Sequence, residues 1–156
     1  MSTGAGALLK AYWQSKSKHD CVPDRSDIDP AEMRGLLPDI ALVEILEDGT
    51  CRFRLAGTRV SRRSGMEPTG MNFSADSSEG GLKELYDLVH KTAETGQPTE
   101  SEVKYFGVTP SFDQILCTAL PLRRDGPEIR LVLLALEFSF SPSADFATNR
   151  LSIKRK

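Results

Sequence analysis

Apolar positions crowd most densely into EIRLVLLALEF, residues 128–138, where an extended strand would be apolar on both faces. DIALVEIL (39–46) has the same two-sided character apart from Glu44, and an Asp48-Gly49 turn joins it to TCRFRLAG (50–57). In that second segment the alternation sets Cys51, Phe53 and Leu55 on one face and Arg52 and Arg54 on the other. TESEVKY (99–105) and SFDQILCTALPL (111–122) complete five predicted strands. Two stretches switch to a helical period. Residues 7–16 carry Leu8, Leu9, Tyr12 and Trp13 as an apolar stripe, and residues 82–95 place Leu82, Leu85, Tyr86, Val89 and Ala93 on one face before stopping at Gly96. Between 58 and 81 the pattern breaks into Gly-, Ser- and Arg-rich pieces anchored by Val60, Met66, Met71 and Phe73, which read as turns and single helical turns.

The stretch RSDIDPAEM (25–33) sets two carboxylates, Asp27 and Asp29, two positions apart. That spacing suits a chemical site, yet it also spells a helix start. Asp29 fits the N-cap, Pro30 the first helical position and Glu32 the third, which predicts a short helix ending near residues 36–38. Asp27 is left to pair with Arg25 or to cap a turn, and a metal site would need further ligands that the neighbourhood lacks. Hairpins at both ends with helices gathered between them predict an α+β domain. Its expected form is a five-stranded antiparallel sheet with helices on one face, preceded by an N-terminal helix. The expected division is a leading helix and linker at 1–20, one domain at 21–140 and a flexible tail at 141–156.

Composition narrows the classes. Apolar residues make up 39% and charged residues 27% of 156 positions, as in a globular domain with one core. A net charge of -2 supplies no global field for nucleic acid, and three basic residues at 154–156 make a poor footprint for it. Cys21, Cys51 and Cys117 form no CxxC pair and are odd in number, which fits a reducing compartment and a cytoplasmic address. The longest apolar run, LVLLAL at 131–136, falls far below the roughly 20 residues that span a bilayer.

Beyond the order of elements, specific residues carry a resemblance. Arg25, Asp27, Ile28, Asp29 and Pro30, then Leu37-Pro38, then Arg54, Leu55, Gly57 and Thr58, with LPL at 120–122, resemble the motif of a proteobacterial PAS-like family. The likeness covers about residues 13–138. It implies a PAS-type sensory or regulatory domain that stands alone. Such a domain acts by binding a small molecule between sheet and long helix, by contact with a signalling protein, or as a homodimer. The residues themselves lead to the expectation of no resident cofactor, no metal and no catalysis. The face expected to line a ligand pocket is Phe53, Leu55, Phe73, Leu85, Val89, Leu116 and Leu133, and the expected dimer interface is Leu8, Leu9, Tyr12 and Trp13.

Four alternatives have named residues. Haem-binding PAS domains take an axial histidine from the long helix, where His90 lies, but His90 falls about 70° from the centre of the apolar face. A flavin photosensor would need a reactive cysteine, whereas the alternation buries Cys51. Arg59, Arg62 and Arg63 are candidate phosphate contacts, since guanidinium forks match phosphate oxygens. A hydrolase would have to converge Asp27, Asp29 and His90 from distant segments, and no GxSxG, HExxH, Walker or glycine fingerprint accompanies them.

Overall fold

The computed structural model describes residues 4–19, 21–77, 80–108 and 112–140. Helix α1 (Ala5–Lys16) leads into a short 3₁₀ turn (Arg25–Asp27) and a longer 3₁₀ segment (Pro30–Asp39) that kinks at Met33. Strands β1 (Ile40–Ile45) and β2 (Cys51–Ala56) form the predicted hairpin, with Gly49 at φ 91° in its turn, where a side chain would be strained. Helix α2 (Thr58–Ser64), strand β3 (Asn72–Phe73) and the long helix α3 (Gly80–Thr95) precede β4 (Thr99–Lys104), β5 (Gln114–Arg123) and β6 (Ile129–Ser139). The sheet is antiparallel in the order β3-β2-β1-β6-β5-β4. The expected five strands are present, and β3, only two residues long, makes a sixth. Such a short strand leaves no period to read. The tail expected at 141–156 lies outside the described residues.

Strand β6 explains the layering. Val132, Leu134, Leu136 and Phe138 point to the face covered by α3, while Leu131, Leu133 and Ala135 point to the opposite face. Both sides are therefore dry, and each has its own cover. Helix α3 buries Leu82, Leu85, Leu88, Val89 and Thr92 on the inner face. Leu88 and Thr92 are buried as well, Tyr86 packs partly buried against the same cluster, and Ala93 is half-buried at its edge. The outer face is covered by α1 through Leu9 and Trp13 and by the 3₁₀ segment through Met33. Helical structure thus lies on both faces, not one, because an apolar outer face cannot be left wet.

Helix α1 is fastened at both ends. Its N-cap is Gly4, which has no side chain to offer, and the carboxylate of Glu137 on β6 accepts from the Gly6 amide at 3.0 Å instead. At its other end the Trp13 indole N–H donates to the Pro121 carbonyl at 2.8 Å. The position of Pro121 is coherent. The β4–β5 ladder ends at Thr99 opposite Ala119, so the β4 flank of Pro121 has no partner strand and needs no amide hydrogen. The carbonyl on that flank is free to take the indole. A step further, the Arg123 amide donates to Pro23 O at 2.9 Å, which brings residues 22–24 alongside β5.

A bulge decides which way β2 faces. The register passes from Leu42 opposite Leu55 to Val43 opposite Phe53, so Arg54 is an extra residue. Cys51 and Phe53 keep to the inner face, whereas Leu55 is turned out beside Leu42 and stands 43% exposed. The alternation expected for Cys51, Phe53 and Leu55 is broken there. An apolar residue is acceptable on either face at that point, so hydropathy carries no mark of the extra residue.

Among the described residues one buried polar side-chain atom lacks a partner. The Thr118 hydroxyl, on β5 beneath the first turn of α1, has no hydrogen bond among the described residues and its side chain is almost wholly buried. An unsatisfied buried hydroxyl costs about 1–3 kcal/mol. Thr118→Val is expected to raise the midpoint of thermal unfolding, with a stability gain of about 1 kcal/mol. A lower midpoint in calorimetry would mean that this hydroxyl is satisfied in solution.

Candidate functional site

The residues around RSDIDPAEM are tied to the backbone by hydrogen bonds. Asp24 Oδ2 accepts from the Ser26 amide at 2.9 Å, Asp27 Oδ2 accepts from the Asp24 amide at 2.9 Å, and the two form a reciprocal capping box. Asp24 Oδ1 also accepts from the amide of Asp125 at 3.0 Å, fastening this turn to the β5–β6 loop. Of the two roles left to Asp27, turn capping is the one observed. Asp29 accepts from the Ala31 amide at 3.0 Å, as an N-cap should. Glu32 does not close the box on Asp29. The Asp29 amide donates to the Tyr12 hydroxyl at 2.9 Å, and that hydroxyl donates to Glu32 at 2.6 Å. Lys16 completes the group 3.0 Å from Glu32. The Tyr12 hydroxyl and then Lys16 hold the Glu32 carboxyl below its ordinary range. Tyr12 therefore joins α1 to the 3₁₀ segment of its own chain.

The remaining motif residues close against one another. A side chain at Gly57 would place its Cβ 2.2 Å from the Leu37 carbonyl oxygen, so only glycine fits beside Leu37-Pro38. The Gly57 amide donates to Ile40 O at 2.7 Å, and Thr58 then opens α2. Arg54 pairs with Glu44 at 3.1 Å, and Arg124 reaches the same carboxylate at 3.3 Å.

These contacts frame a pocket of about 50 Å³ on the outer face. Ile28, Pro30, Met33 and Leu37 form its cover, and Ile40, Leu42, Leu55, Leu122 and Leu133 form its floor and wall. Arg25 stands at the rim, half-buried. Its neighbouring carboxylates are engaged by backbone amides, and its guanidinium makes no hydrogen bond or ion pair among the described residues. The pocket is apolar with one unmatched cation at its mouth.

The seven residues expected to line a ligand site are divided by the sheet. Phe53, Phe73, Leu85 and Val89 lie on the inner face, buried together. There the Phe53 ring packs 5.0 Å from Phe73 and 6.5 Å from Phe106, filling the space beneath α3. Leu55 and Leu133 line the outer pocket, turned there by the bulge and by the parity of β6. Leu116 is also on the outer face, between Glu102 and Glu137, its partners in the ladders. Residues missed in the sequence are Asp24, Met33, Ile40 and Leu42. Asp24 and Asp27 stand three apart, which is capping-box spacing and was available to find the first of them.

The alternatives meet specific geometry. His90 Nε2 lies 2.8 Å from the Gly49 carbonyl, and its ring packs 4.3 Å from Tyr86, so it clasps the β1–β2 turn to α3. Asp27 and Asp29 belong to the outer layer and His90 to the helix on the inner face, so the three do not converge. Arg59 is held by Asp39 at 2.5 Å, Arg63 packs over Phe112 at 5.9 Å and Arg62 is exposed. Arg59 and Arg63 line one concavity together with Asp39 and Glu137, and Arg62 stands outside it. Burial pushes the Cys51 thiol up to about 12 and that of Cys117 up as well, so neither supplies thiolate near neutral pH. Among the described residues no group of three His, Cys, Asp or Glu is placed to hold a metal.

A long helix laid across one face of an antiparallel sheet, with short helices between the β1–β2 hairpin and that helix, is the architecture of an α+β sensory domain of the PAS type. The chain belongs to the PAS domain family, whose family model matches residues 1–132. Searches of curated proteins and of solved structures returned no match. Among the described residues no helix is long and apolar enough to cross a membrane.

Acid should loosen this site at Asp24. The Ser26 amide and hydroxyl, then the Asp125 amide, hold its carboxyl below the ordinary value of 3.8. A depressed carboxylate adds stability above the unfolded value, and that stability is lost as pH falls through the lower folded value. Thermal midpoints measured from about pH 6 down to pH 2 should therefore fall below about pH 4. Asp24→Asn, which keeps a capping oxygen without the charge, should flatten that fall. An unchanged slope would remove Asp24 from the linkage.

Proposed function

We propose that this chain is a sensory or regulatory PAS module of bacterial signalling, working in the cytoplasm and without catalysis, whose ligand or protein partner engages the outer-face pocket. One observation carries the reading. The space beneath α3 is filled by Phe53, Phe73 and Phe106, while the outer pocket stays open beside a 43% exposed Leu55. Exposed apolar area next to a concave site is where partners dock. The reading calls for no resident cofactor, because it relies on contact alone. A photo-crosslinking residue at position 55, compared in living cells with one at exposed Lys83 on α3, tests it. A discrete adduct at 55 and none at 83 is the expected outcome. Equal labelling at both positions, or none at either, would count against an outer-face site.

The module is further proposed to pair with a second copy. Leu9 and Trp13 are already buried against their own sheet and Tyr12 against the 3₁₀ segment, so the contact would rest on the outward Ala7, Leu8 and Ala11. Of these Leu8, 47% exposed, is the large apolar group. Light scattering across the micromolar range should show a concentration-dependent dimer that Leu8→Asp returns to monomer. A wild-type monomer at every concentration would retire the pairing.

A further inference from the structure

Three features of the outer pocket define what it can hold. Its volume of about 50 Å³ has room for roughly four water-sized groups at about 10–15 Å³ each, the size of a branched four-carbon side chain. Its lining is apolar: Ile28, Met33 and Leu37 above, Leu42 and Leu133 below. Arg25 at the mouth is the exception. A guanidinium beside apolar walls ordinarily finds a carboxylate of its own chain, and here the nearby ones are engaged. Asp24 takes the Ser26 and Asp125 amides, Asp27 the Asp24 amide and Asp29 the Ala31 amide. Among the described residues the fork has no anion of its own, and two parallel N–H donors match a carboxylate best.

We infer that this pocket binds a small branched aliphatic carboxylic acid, its branched end among Ile28, Met33 and Leu133 and its carboxylate paired with Arg25. The inference rests on the outer-face reading and gives that site a ligand class. Polarity sets the orientation, since the apolar end cannot face Arg25 without leaving both the walls and the cation unmatched. The acid would draw the 3₁₀ turn that carries Arg25 onto the floor formed by β1 and β6. That is a local change on the face where α1 also packs.

The test uses the full chain labelled at Ile, Leu, Val and Met methyl groups, titrated with 4-methylpentanoate and, separately, with the uncharged 4-methylpentan-1-ol. Saturable shifts are expected at Ile28, Met33 and Leu133, with Leu85 and Val89 on the inner face unmoved. The alcohol should bind about tenfold more weakly, as expected for loss of a charge-assisted pair. Arg25→Gln should erase the difference between acid and alcohol. Arg25→Lys, which keeps the charge but not the fork, should restore part of it and serves as the control for folding. Equal affinity for acid and alcohol overturns the proposal. So does a response at Leu85 and Val89, or the absence of saturable shifts up to about 20 mM. Should the titration fail while crosslinking at position 55 succeeds, the site takes a protein and only the ligand class is lost.

Discussion

Strands β5 and β6 are apolar on both faces, and water must be kept from both. Leu134 and Leu136 need the long helix, while Leu120, Leu122 and Leu133, on the reverse side, need something else. The chain supplies it from its own first forty residues. Leu9 and Trp13 each remove a large side chain from water, with burial contributing about 1.5–3 kcal/mol apiece. The indole bond to Pro121 fixes where along the sheet the helix lies. Once α1 is set, Tyr12 positions the 3₁₀ segment through Asp29 and Glu32, and that segment becomes the lid of the outer pocket. The motif that gives the family away thus reads physically as the means of holding a second layer on the sheet.

What was legible in the sequence follows from this. The helix at 7–16, the Asp48-Gly49 hairpin, the long helix ending at Gly96 and the last three strands all announce themselves through period and turn chemistry. Asp29 is visible as a cap because capping is a local act of a residue on its own backbone. The candidate site was harder to find. The sequence predicts Leu55, Leu116 and Leu133 on the face of the long helix, and each lies on the other side. For Leu55 the cause is one inserted residue, Arg54, which reverses the parity of everything after it. For Leu116 and Leu133 it is that a strand apolar on both faces offers no contrast from which to read its orientation. The partner of Tyr12 was hidden for a different reason, since a hydroxyl that bridges elements 17 and 20 residues away leaves no trace in periodicity.

Polar contacts in the site are mostly between a side chain and a main-chain amide. Asp24, Asp27 and Asp29 each answer an N–H that a turn leaves open. Arrangements of this kind specify backbone geometry tightly while leaving no carboxylate free to act as a base. Glu32 is taken by Tyr12 and Lys16 instead, which leaves Arg25 as the charge of RSDIDPAEM with no partner among the described residues.

Pro121 has a consequence of another kind. A sheet with a bare flank is a template on which a stray strand can add, and such addition is how folded domains seed aggregates. Past Ala119, where β4 has ended, β5 would present such a flank. A residue with no amide hydrogen stands at that point, its carbonyl is occupied by Trp13, and residues 22–24 run alongside the next positions. Further along the same edge, β4 carries Glu100, Glu102 and Lys104, charges that an incoming strand would have to strip of water. Displacing α1 would therefore uncover a leucine-rich face and an open strand together. The helix that completes the fold also shields that flank from strand addition.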